Sequence, residues 1–305
     1  MNKLLKAYNL LKKDKRIFAT ILLIKINLFF PDKLYLKILF RLKMRKKLNL
    51  NQPKSYSEKL QWLKLYDRNP LYTTLVDKSL VKEYVSKKIG DEYIIPTLGV
   101  WNKFEEIDFN QLPNEFVLKC THDSGGLVIC KDKSKLDIEN AKRKINKSLK
   151  NKYYNFFREW PYKNVVPRII AETYMEDESG ELKDYKFFCF DGKVKALFIA
   201  TDRQKKGEDT KFDFFDRDFN HLPFTNGHPN ARVLPRKPQM FEEMIRLAET
   251  LSNGFPHVRV DLYEVGKQIY FGEMTFFHWS GFVPFDPEEW DYKFGNMLKL
   301  PLEKT

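Results

Sequence analysis

Hydrophobic and polar positions alternate most regularly over residues 257–281, HVRVDLYEVGKQIYFGEMTFFHWSG. Alternation with a period of two is typical of β-strands, and a turn-forming sequence at 264–268 divides the segment. The pattern therefore predicts a β-hairpin. One face of its first strand is apolar, and the other carries Arg259, Asp261 and Tyr263.

The polar face of this hairpin brings two carboxylates together. If the hairpin is symmetric about Lys267, Asp261 lies opposite Glu273, and Thr275 follows on the same face. Carboxylates that face each other across a sheet repel and destabilise it. Two arrangements resolve this conflict: a bound Mg²⁺, which prefers oxygen ligands, or a charged solvent face that Arg259 neutralises. The hairpin alone is compatible with both.

The rest of the chain shows further helical and strand patterns. Helical spacing of apolar residues occurs at 17–30, 34–42, 59–66, 71–88, 137–157, 238–253 and 287–298. Strand patterns occur at 92–95, 115–120, 127–131, 168–177, 183–190 and 193–201. Ser55 and Glu58 have capping-box spacing, which predicts a helix start. Residues 204–237 are polar, and His221 and His228 within them are interpreted as loop residues rather than metal ligands.

Composition indicates a folded protein with a basic N-terminal segment. Of the 305 residues, 43% are hydrophobic and 15% are aromatic, which argues against disorder. The net charge of +13 arises in residues 1–54, which hold 15 Lys and Arg against two acidic residues. The neutral remainder argues against a nucleic-acid partner. Cys120, Cys130 and Cys189 lie in apolar strand patterns without metal-ligand spacing, which predicts buried, reduced thiols in the cytoplasm.

The basic segment interleaves lysines with apolar residues. Its longest apolar run is about 14 residues, includes Lys25 and is too short to span a bilayer. A helix with Phe, Leu and Ile on one side and Lys on the other suits an anionic membrane surface. The alternative is a helical cap packed on the main domain. The first arrangement predicts a cytoplasmic protein held peripherally at the inner face of the cell membrane.

A glycine-containing loop, THDSGG at 121–126, joins two predicted strands. Glycines let backbone amides approach an anion closely, and Lys119 ends the preceding strand within reach of the same anion. The alternative is a purely structural turn, since Gly-Gly is common in hairpin loops.

Six segments occur in an order that resembles the ATP-grasp superfamily, in particular the TupA-like ATP-grasp proteins associated with polysaccharide and teichuronopeptide biosynthesis. The segments are SYSEKLQWLKLYDRNP, DKSLVKEYV, FVLKCTHDSGG, DYKFFCFDGK, RVDLYEV and YFGEMTFFHWSG. The resemblance covers roughly residues 50–300. It implies an α+β fold in which two α/β subdomains clasp a nucleotide between antiparallel sheets. The implied division is a basic helical segment at 1–54, a helical region at 55–112, a small subdomain at 113–176 and a large subdomain with the Mg²⁺ site at 177–305.

The resemblance also implies roles for individual residues. The residues implied to contact ATP are Lys119, His122, Asp123, Ser124, Gly125, Gly126, Glu172, Tyr174, Met175 and Lys186. The implied catalytic residues are Arg203, Lys186 and Glu273, and the implied metal ligands are Asp261, Glu273 and Thr275. Thr275 offers a hydroxyl where the family usually has an asparagine. His278, Trp279 and Ser280 would line the acceptor pocket, and the alternative for His278 is a packed, hydrogen-bonded histidine.

The implied function is an ATP- and Mg²⁺-dependent carboxylate–amine ligase that acts through an acyl phosphate. It would form an amide on a cell-surface polysaccharide or its precursor, for example between an amino acid and a uronic acid. This chemistry needs no protein nucleophile, and the sequence shows no convincing Ser-His-Asp or Cys-His constellation. The alternatives are a glycosyltransferase of capsule or polysaccharide biosynthesis and a non-catalytic, membrane-bound ATP-binding scaffold.

Overall fold

The computed structural model describes residues 15–123, 125–178, 180, 182–203 and 207–301. The helices are α1 (Lys15–Lys25), α2 (Asp32–Met44), α3 (Tyr56–Tyr66), α4 (Leu71–Val76), α5 (Val81–Ile89), α6 (Ile138–Leu149), α7 (Tyr153–Phe157), α8 (Phe241–Ser252) and α9 (Glu289–Met297). The strands are β1 (Thr97–Trp101), β2 (Phe116–Cys120), β3 (Leu127–Cys130), β4 (Ile169–Thr173), β5 (Asp184–Phe190), β6 (Lys193–Thr201), β7 (Lys211–Asp216), β8 (His221–Leu222), β9 (Thr225–Asn226), β10 (His257–Val265), β11 (Gln268–Thr275) and β12 (Phe285–Asp286).

Two antiparallel sheets organise these strands. The small sheet has the order β1-β4-β2-β3, and the large sheet has the order β11-β10-β5-β6-β7-β8. The small sheet packs its own core against α6, whereas the large sheet shares a core with α2, α3, α8 and α9. The predicted helical region 55–112 is divided between them, because α3 to α5 join the large-sheet core while Phe104, Ile107 and Leu112 join the small-sheet core. This arrangement confirms the predicted α+β class.

The N-terminal helices differ in how they are buried. Helix α2 places Tyr35, Leu36, Leu39 and Phe40 in the core at 0% exposure, so it is a structural cap as well as part of the basic segment. Helix α1 buries only Leu23 and exposes Ile17, Phe18, Ile21 and Leu22. Within the described residues, no helix has the length and apolar character needed to cross a bilayer.

Helix α3 begins with the predicted capping box, since Ser55 accepts from the Glu58 amide and Glu58 accepts from the Ser55 amide. The helix places Tyr56 against the large sheet, where its hydroxyl donates to His257 Nε2 at 2.8 Å. His257 Nδ1 in turn donates to the Cys189 carbonyl at 2.8 Å. These contacts fix α3 over one end of the large sheet.

Two predicted helices are interrupted. The segment at 71–88 divides into α4 and α5 because Asp77 adopts an extended ψ of 114° and its Oδ1 accepts from the Ser79 and Leu80 amides. The segment at 137–157 divides into α6 and α7. Aspartate competes with the helical backbone through such short-range hydrogen bonds, which explains the break at Asp77.

Two strand predictions are wrong. The predicted strand at 92–95 is instead a 3-10 turn at Asp91–Tyr93 followed by Ile94, which makes a single bridge to Phe271. The strand forms after Pro96, as β1. The segment 204–237 is interpreted as loop from the sequence, but β8 places His221 in a strand, and β7 pairs with β6 along its whole length. Its apolar residues are flanked by charges, so its strand character comes from pairing and packing rather than from a clean alternation.

The predicted hairpin is present as β10 and β11, and Asp261 does pair with Glu273. The turn is shorter than predicted, because Val265 pairs directly with Gln268. That register would bring Asp261 opposite Gly272, but a β-bulge between Asp261 and Leu262 shifts the pairing by one residue. The pairing is confirmed, although the predicted symmetry about Lys267 is not its cause.

Candidate functional site

A cleft with a cavity volume of about 220 Å³ lies between the small and large sheets. Its walls come from β2, β3 and β4 on one side, from β5, β10 and β11 on the other, and from the connection between β4 and β5. The predicted residues that line it are Lys119, Asp123, Gly126, Glu172, Tyr174, Met175, Lys186, Arg203 and Glu273. The topology therefore brings most of the candidate residues to one place.

The small-sheet wall contains an ion triad centred on Glu172. Lys119 Nζ lies 2.5 Å from Glu172 Oε2, and Lys82 Nζ lies 2.6 Å from Glu172 Oε1. Burial raises the pKa of Glu172, but the two lysines outweigh it and leave the pKa below its usual value. Lys82, which was not predicted, lies in α5 within the DKSLVKEYV segment.

The same wall also offers an apolar surface. Val117, Leu127 and Ile129 face the cleft from β2 and β3, and Met175 and Leu182 face it from the connection between the sheets. A largely apolar lining with a few polar groups is typical of sites for planar, drug-sized ligands. This surface suits a purine base, and the neighbouring lysines suit phosphates.

The glycine loop is organised by its own aspartate. Asp123 Oδ1 accepts from the amides of Gly125 and Gly126 at 3.3 and 3.1 Å, and Asp123 Oδ2 bonds Ser148. Gly126 must be glycine, because a Cβ there would lie 2.5 Å from Cys120 Sγ. An anion that binds these amides would have to compete with Asp123.

Other predicted loop residues are placed differently. His122 is 3% exposed, and its Nε2 lies 3.1 Å from the Asn151 carbonyl. Burial lowers the pKa of His122, so it is a neutral, packed side chain. Ser124 lies outside the described residues. Lys78, which was not predicted, lines the cleft and donates to the Asp123 carbonyl at 2.5 Å.

The large-sheet wall carries a chain of alternating charges. Asp184 Oδ2 bonds both Arg203 and Lys186, and Lys186 also bonds Asp261. Asp184 Oδ1 is buried without a hydrogen-bond partner, and Asp184 lines the cleft. Arg203, by contrast, is 45% exposed. Two predicted cations therefore lie together at the cleft, held by a carboxylate that the sequence reasoning missed.

Arg259 neutralises the carboxylate pair, but on a buried face rather than the predicted solvent face. Its Nε and Nη2 donate to Asp261 at 2.7 and 2.8 Å, and Nη2 also lies 3.3 Å from Glu273 Oε1 and 3.0 Å from Thr275 Oγ1. Asp261 is 0% exposed, whereas the Glu273 side chain is 41% exposed and lines the cleft. The Arg-x-Asp spacing was visible in the sequence, but the direction of the guanidinium was not.

The electrostatics keep Glu273 ionised. Burial raises its pKa, but Lys186, Lys78 and Arg259 together outweigh burial and hold the pKa at about 2. Burial likewise raises the pKa of Asp261, which Arg259 and Lys186 oppose. Cations rather than repulsion therefore dominate the surroundings of Glu273.

These residues offer the oxygen donors that Mg²⁺ prefers, although both Asp261 oxygens already bond cations, Oδ1 to Arg259 and Oδ2 to Arg259 and Lys186. Mg²⁺ is usually held by one or two carboxylates together with substrate phosphates. Within the described residues, no three His, Cys, Asp or Glu side chains come together to enclose a metal by themselves. Asp261, Glu273 and the Thr275 hydroxyl would thus supply part of the coordination, and phosphate oxygens and water the rest.

The three predicted acceptor residues have different surroundings. His278 is 3% exposed; its Nδ1 accepts from Arg259 at 2.7 Å and its Nε2 donates to Asn226 Oδ1 at 2.9 Å. Burial lowers the pKa of His278, which is therefore the packed, neutral histidine of the alternative prediction. Ser280 is 5% exposed and bonds Glu159, whereas Trp279 is 40% exposed.

Comparison with known proteins places this chain in a family. The model of the TupA-like ATPgrasp family matches residues 58–299, which is most of the chain. No curated protein matches the chain.

Three solved structures illustrate the likeness of fold. D-alanine–D-alanine ligase from Bacillus anthracis complexed with ATP is 14% identical, with 66% of this chain and 53% of that chain covered and a TM-score of 0.39. ATP-grasp ligase PsnB complexed with minimal precursor, Mg and ADP is 10% identical, with 72% and 57% covered and a TM-score of 0.37. D-cycloserine synthetase DcsG is 18% identical, with 75% and 72% covered and a TM-score of 0.41. The chain spans just over half the length of the first of these. On the match of the family model, the chain belongs to the TupA-like ATPgrasp family.

Proposed function

We propose that the protein is an ATP-dependent carboxylate–amine ligase. One observation carries this proposal: a single cleft holds Lys119 on one sheet and Lys186 and Arg203 on the other, beside the ionised Glu273. Cations from two walls are the arrangement that a triphosphate needs, because phosphoryl transfer is catalysed mainly by positioning and charge stabilisation. In this proposal residues 113–176 and 177–305 act as the small and large subdomains.

The chain's own residues would divide the work as follows. Val117, Ile129 and Met175 receive the base, and Lys119 and Lys186 hold phosphates that compete with Glu172 and Asp261 for these lysines. Asp261, Glu273 and Thr275 would hold Mg²⁺, which when bound neutralises charge on the phosphate oxygens. Arg203, the most exposed of these cations, orients the acceptor carboxylate.

The reaction then proceeds in two balanced steps. An oxygen of the acceptor carboxylate forms a bond to the γ-phosphorus, the bond to the bridging oxygen breaks, and ADP leaves. The nitrogen of the amine next bonds the acyl carbon, inorganic phosphate leaves, and the amine loses a proton. No side chain forms a covalent intermediate, in agreement with His122 and His278 being packed and neutral.

The proposed acceptor is a uronic acid of a cell-surface polysaccharide or its precursor, and the proposed amine is an amino acid. The association of the family with polysaccharide and teichuronopeptide biosynthesis supports this choice. Release of phosphate from ATP, measured across a panel of uronic acids and amino acids, tests activity and substrate together. A ligase consumes ATP only when an acid is present.

A glycosyltransferase would be expected to carry an Asp-x-Asp signature for its sugar nucleotide. The chain has this spacing at Asp216 and Asp218. Asp216 Oδ1 accepts from the Asp218 and Asn220 amides at 2.9 and 2.8 Å, so it closes the turn after β7. An aspartate used in this way is a turn residue rather than a metal ligand. The scaffold alternative predicts ATP binding without turnover, and the same phosphate-release measurement separates it from the ligase.

The proposal includes attachment of the protein to the inner face of the cell membrane. Helix α1 and the turn after it expose Ile21, Leu22, Leu28 and Phe29, the last two at 76% and 85%. Arg16, Lys37 and Arg41 lie together at a neighbouring groove. Exposed apolar residues beside basic ones suit an anionic bilayer. Since α2 is buried, this surface should be tested by point substitutions rather than by removing the segment.

A further inference from the structure

The turn that follows the carboxylate pair has an unusual backbone. Trp279 adopts φ 48° and ψ 26°, and Ser280 adopts φ 55° and ψ 15°. This is the left-handed region, which residues with a Cβ rarely enter. Two such residues in succession persist only where the surrounding structure holds them, and they are often found at ligand sites.

Buried polar groups of α3 hold this turn. Lys64 Nζ donates to the Ser280 carbonyl at 2.7 Å, and Gln61 Nε2 donates to the Ser280 and Gly281 carbonyls at 3.1 Å each. The Ser280 hydroxyl bonds Glu159. Lys64, Gln61 and Glu159 are all at most 3% exposed. A lysine buried for this purpose indicates that the conformation of the turn is specified by the fold.

The turn presents one side chain outward, the indole of Trp279. It lies over the buried ring of Phe212, with centroids 6.1 Å apart and planes 24° apart, and the ring of His228 lies 5.9 Å from it. Gly227 leaves room for the indole, because a Cβ at that position would come within 3.0 Å of Trp279 Nε1. Phe212, His228 and Trp279 form what we call the aromatic platform.

The aromatic platform lies on the same face of the large sheet as Asp184, which lines the cleft. Asp184 pairs with Ala200, and Ala200 pairs with Phe212, so the three side chains form one row across β5, β6 and β7. Adjacent strands are about 4.8 Å apart, which puts Phe212 roughly 10 Å from Asp184 along this row. Asp184 holds Arg203 and Lys186. One or two sugar rings would bridge that distance.

We infer that Trp279 and His228 form a stacking subsite for the pyranose ring of a sugar acid whose carboxylate meets Arg203. The inference rests on the proposed function and assigns the residues that recognise the ring of its acceptor. The C–H groups on one face of a pyranose carry partial positive charge, and an indole presents a negative face to them. A flat indole that is 40% exposed suits a ring that keeps its hydroxyls hydrated. A linear acid offers no such face.

Equilibrium binding tests this inference without requiring turnover. The probes are glucuronic acid and gluconic acid, a ring and a linear acid with the same number of carbons. Each is titrated by calorimetry into the full chain with Mg²⁺ and a non-hydrolysable ATP analogue. We expect the full chain to prefer glucuronic acid, and Trp279→Ala to weaken glucuronic acid about tenfold while leaving gluconic acid unchanged.

The variants are matched to separate stacking from folding. Trp279→Phe retains a ring and should recover most of the affinity, and His228→Ala should give a smaller loss. Tyr292→Ala removes an aromatic side chain of similar exposure, 42%, on α9 and should behave as wild type. If Trp279→Ala does not fold, Trp279→Phe and His228→Ala provide the test, because each should lose part of the affinity for glucuronic acid. Equal binding of the two acids by the wild type, or a preference that survives in Trp279→Ala, overturns the inference.

A parallel assay of hydroxamate formation with ATP and hydroxylamine keeps the two claims distinct. Trp279-dependent binding of glucuronic acid without any turnover supports the subsite and contradicts the ligase. Turnover of glucuronic acid that is unchanged in Trp279→Ala supports the ligase and contradicts the subsite. Failure of the wild type to bind glucuronic, galacturonic and mannuronic acids contradicts the subsite as well.

Discussion

Replacing Glu273 by glutamine removes one charge from the carboxylate pair and keeps the shape of the side chain. Glu273 is ionised, with a pKa of about 2, and it is the member of the pair that lines the cleft. If it holds Mg²⁺ against the triphosphate, turnover should fall by two orders of magnitude or more, about 2.7 kcal/mol of lost transition-state stabilisation. The Mg²⁺ concentration that gives half-maximal activity should rise in the same variant.

The same substitution should change the stability of the fold little. Glu273 lies 3.3 Å from Arg259 and is 41% exposed, so this ion pair contributes less than about 1 kcal/mol. Glutamine retains an oxygen that can accept from Arg259. The melting temperature should therefore fall by no more than about 3 °C. The sequence alone suggests the opposite sign, relief of repulsion, but the cations around Glu273 reverse it.

Phosphate release and thermal melting of Glu273→Gln check both expectations, with Glu83→Gln as the control. Glu83 is an exposed glutamate that also bonds a single cation, Lys87, and it does not line the cleft. Wild-type turnover in Glu273→Gln with an unchanged melting temperature would refute the metal assignment. A collapse of the melting temperature would refute the view that Glu273 is mainly functional.

Four further outcomes follow from the structure. Lys82→Ala should weaken ATP binding about tenfold, measured by calorimetry, because Glu172 would then be held by Lys119 alone. Unchanged affinity would contradict a role of Lys82 at the phosphates. Arg203→Ala should suppress hydroxamate trapping more than ATP binding. Equal losses in both assays would indicate that Arg203 holds the triphosphate instead of the acceptor carboxylate. Burial lowers the pKa of His257 to about 4, so as the pH falls the unfolded chain takes up this proton before the folded chain does. The free energy of unfolding should therefore fall by up to about 3 kcal/mol between pH 6.5 and 4. Urea melts should show a shallower fall in His257→Gln. The full chain should sediment with anionic vesicles, less so near 0.5 M salt, and Leu28→Ser with Phe29→Ser should weaken this without altering the melt.

The sequence predicts well wherever a pattern is local. The capping box of α3, the strands around the glycine loop and the Asp261–Glu273 pairing are all present. The sequence predicts this pairing from a symmetric turn, whereas the molecule combines a two-residue turn with a β-bulge. A bulge depends on how Gly272 packs against Tyr263, which no local pattern reveals.

Other features could not be predicted because they depend on tertiary contacts. Strand β7 exists through its pairing with β6, and its charged neighbours conceal it in the sequence. Asp123 and Lys119 both line the cleft, but the Asp123 carboxylate accepts from the amides of its own loop, whereas Lys119 Nζ bonds Glu172. The sequence shows which residues are charged, but it does not show where each charged side chain points in the fold.

The central claim is that one cleft activates a carboxylate with ATP. The most direct measurement mixes the full chain with ATP, Mg²⁺, a uronic acid and hydroxylamine, and quantifies ADP, phosphate and hydroxamate. The account predicts equal amounts of all three products, formed only when the acid is present and strongly reduced in Arg203→Ala. ATP consumption that no acid stimulates, or a product formed from a sugar nucleotide without ATP, would contradict it.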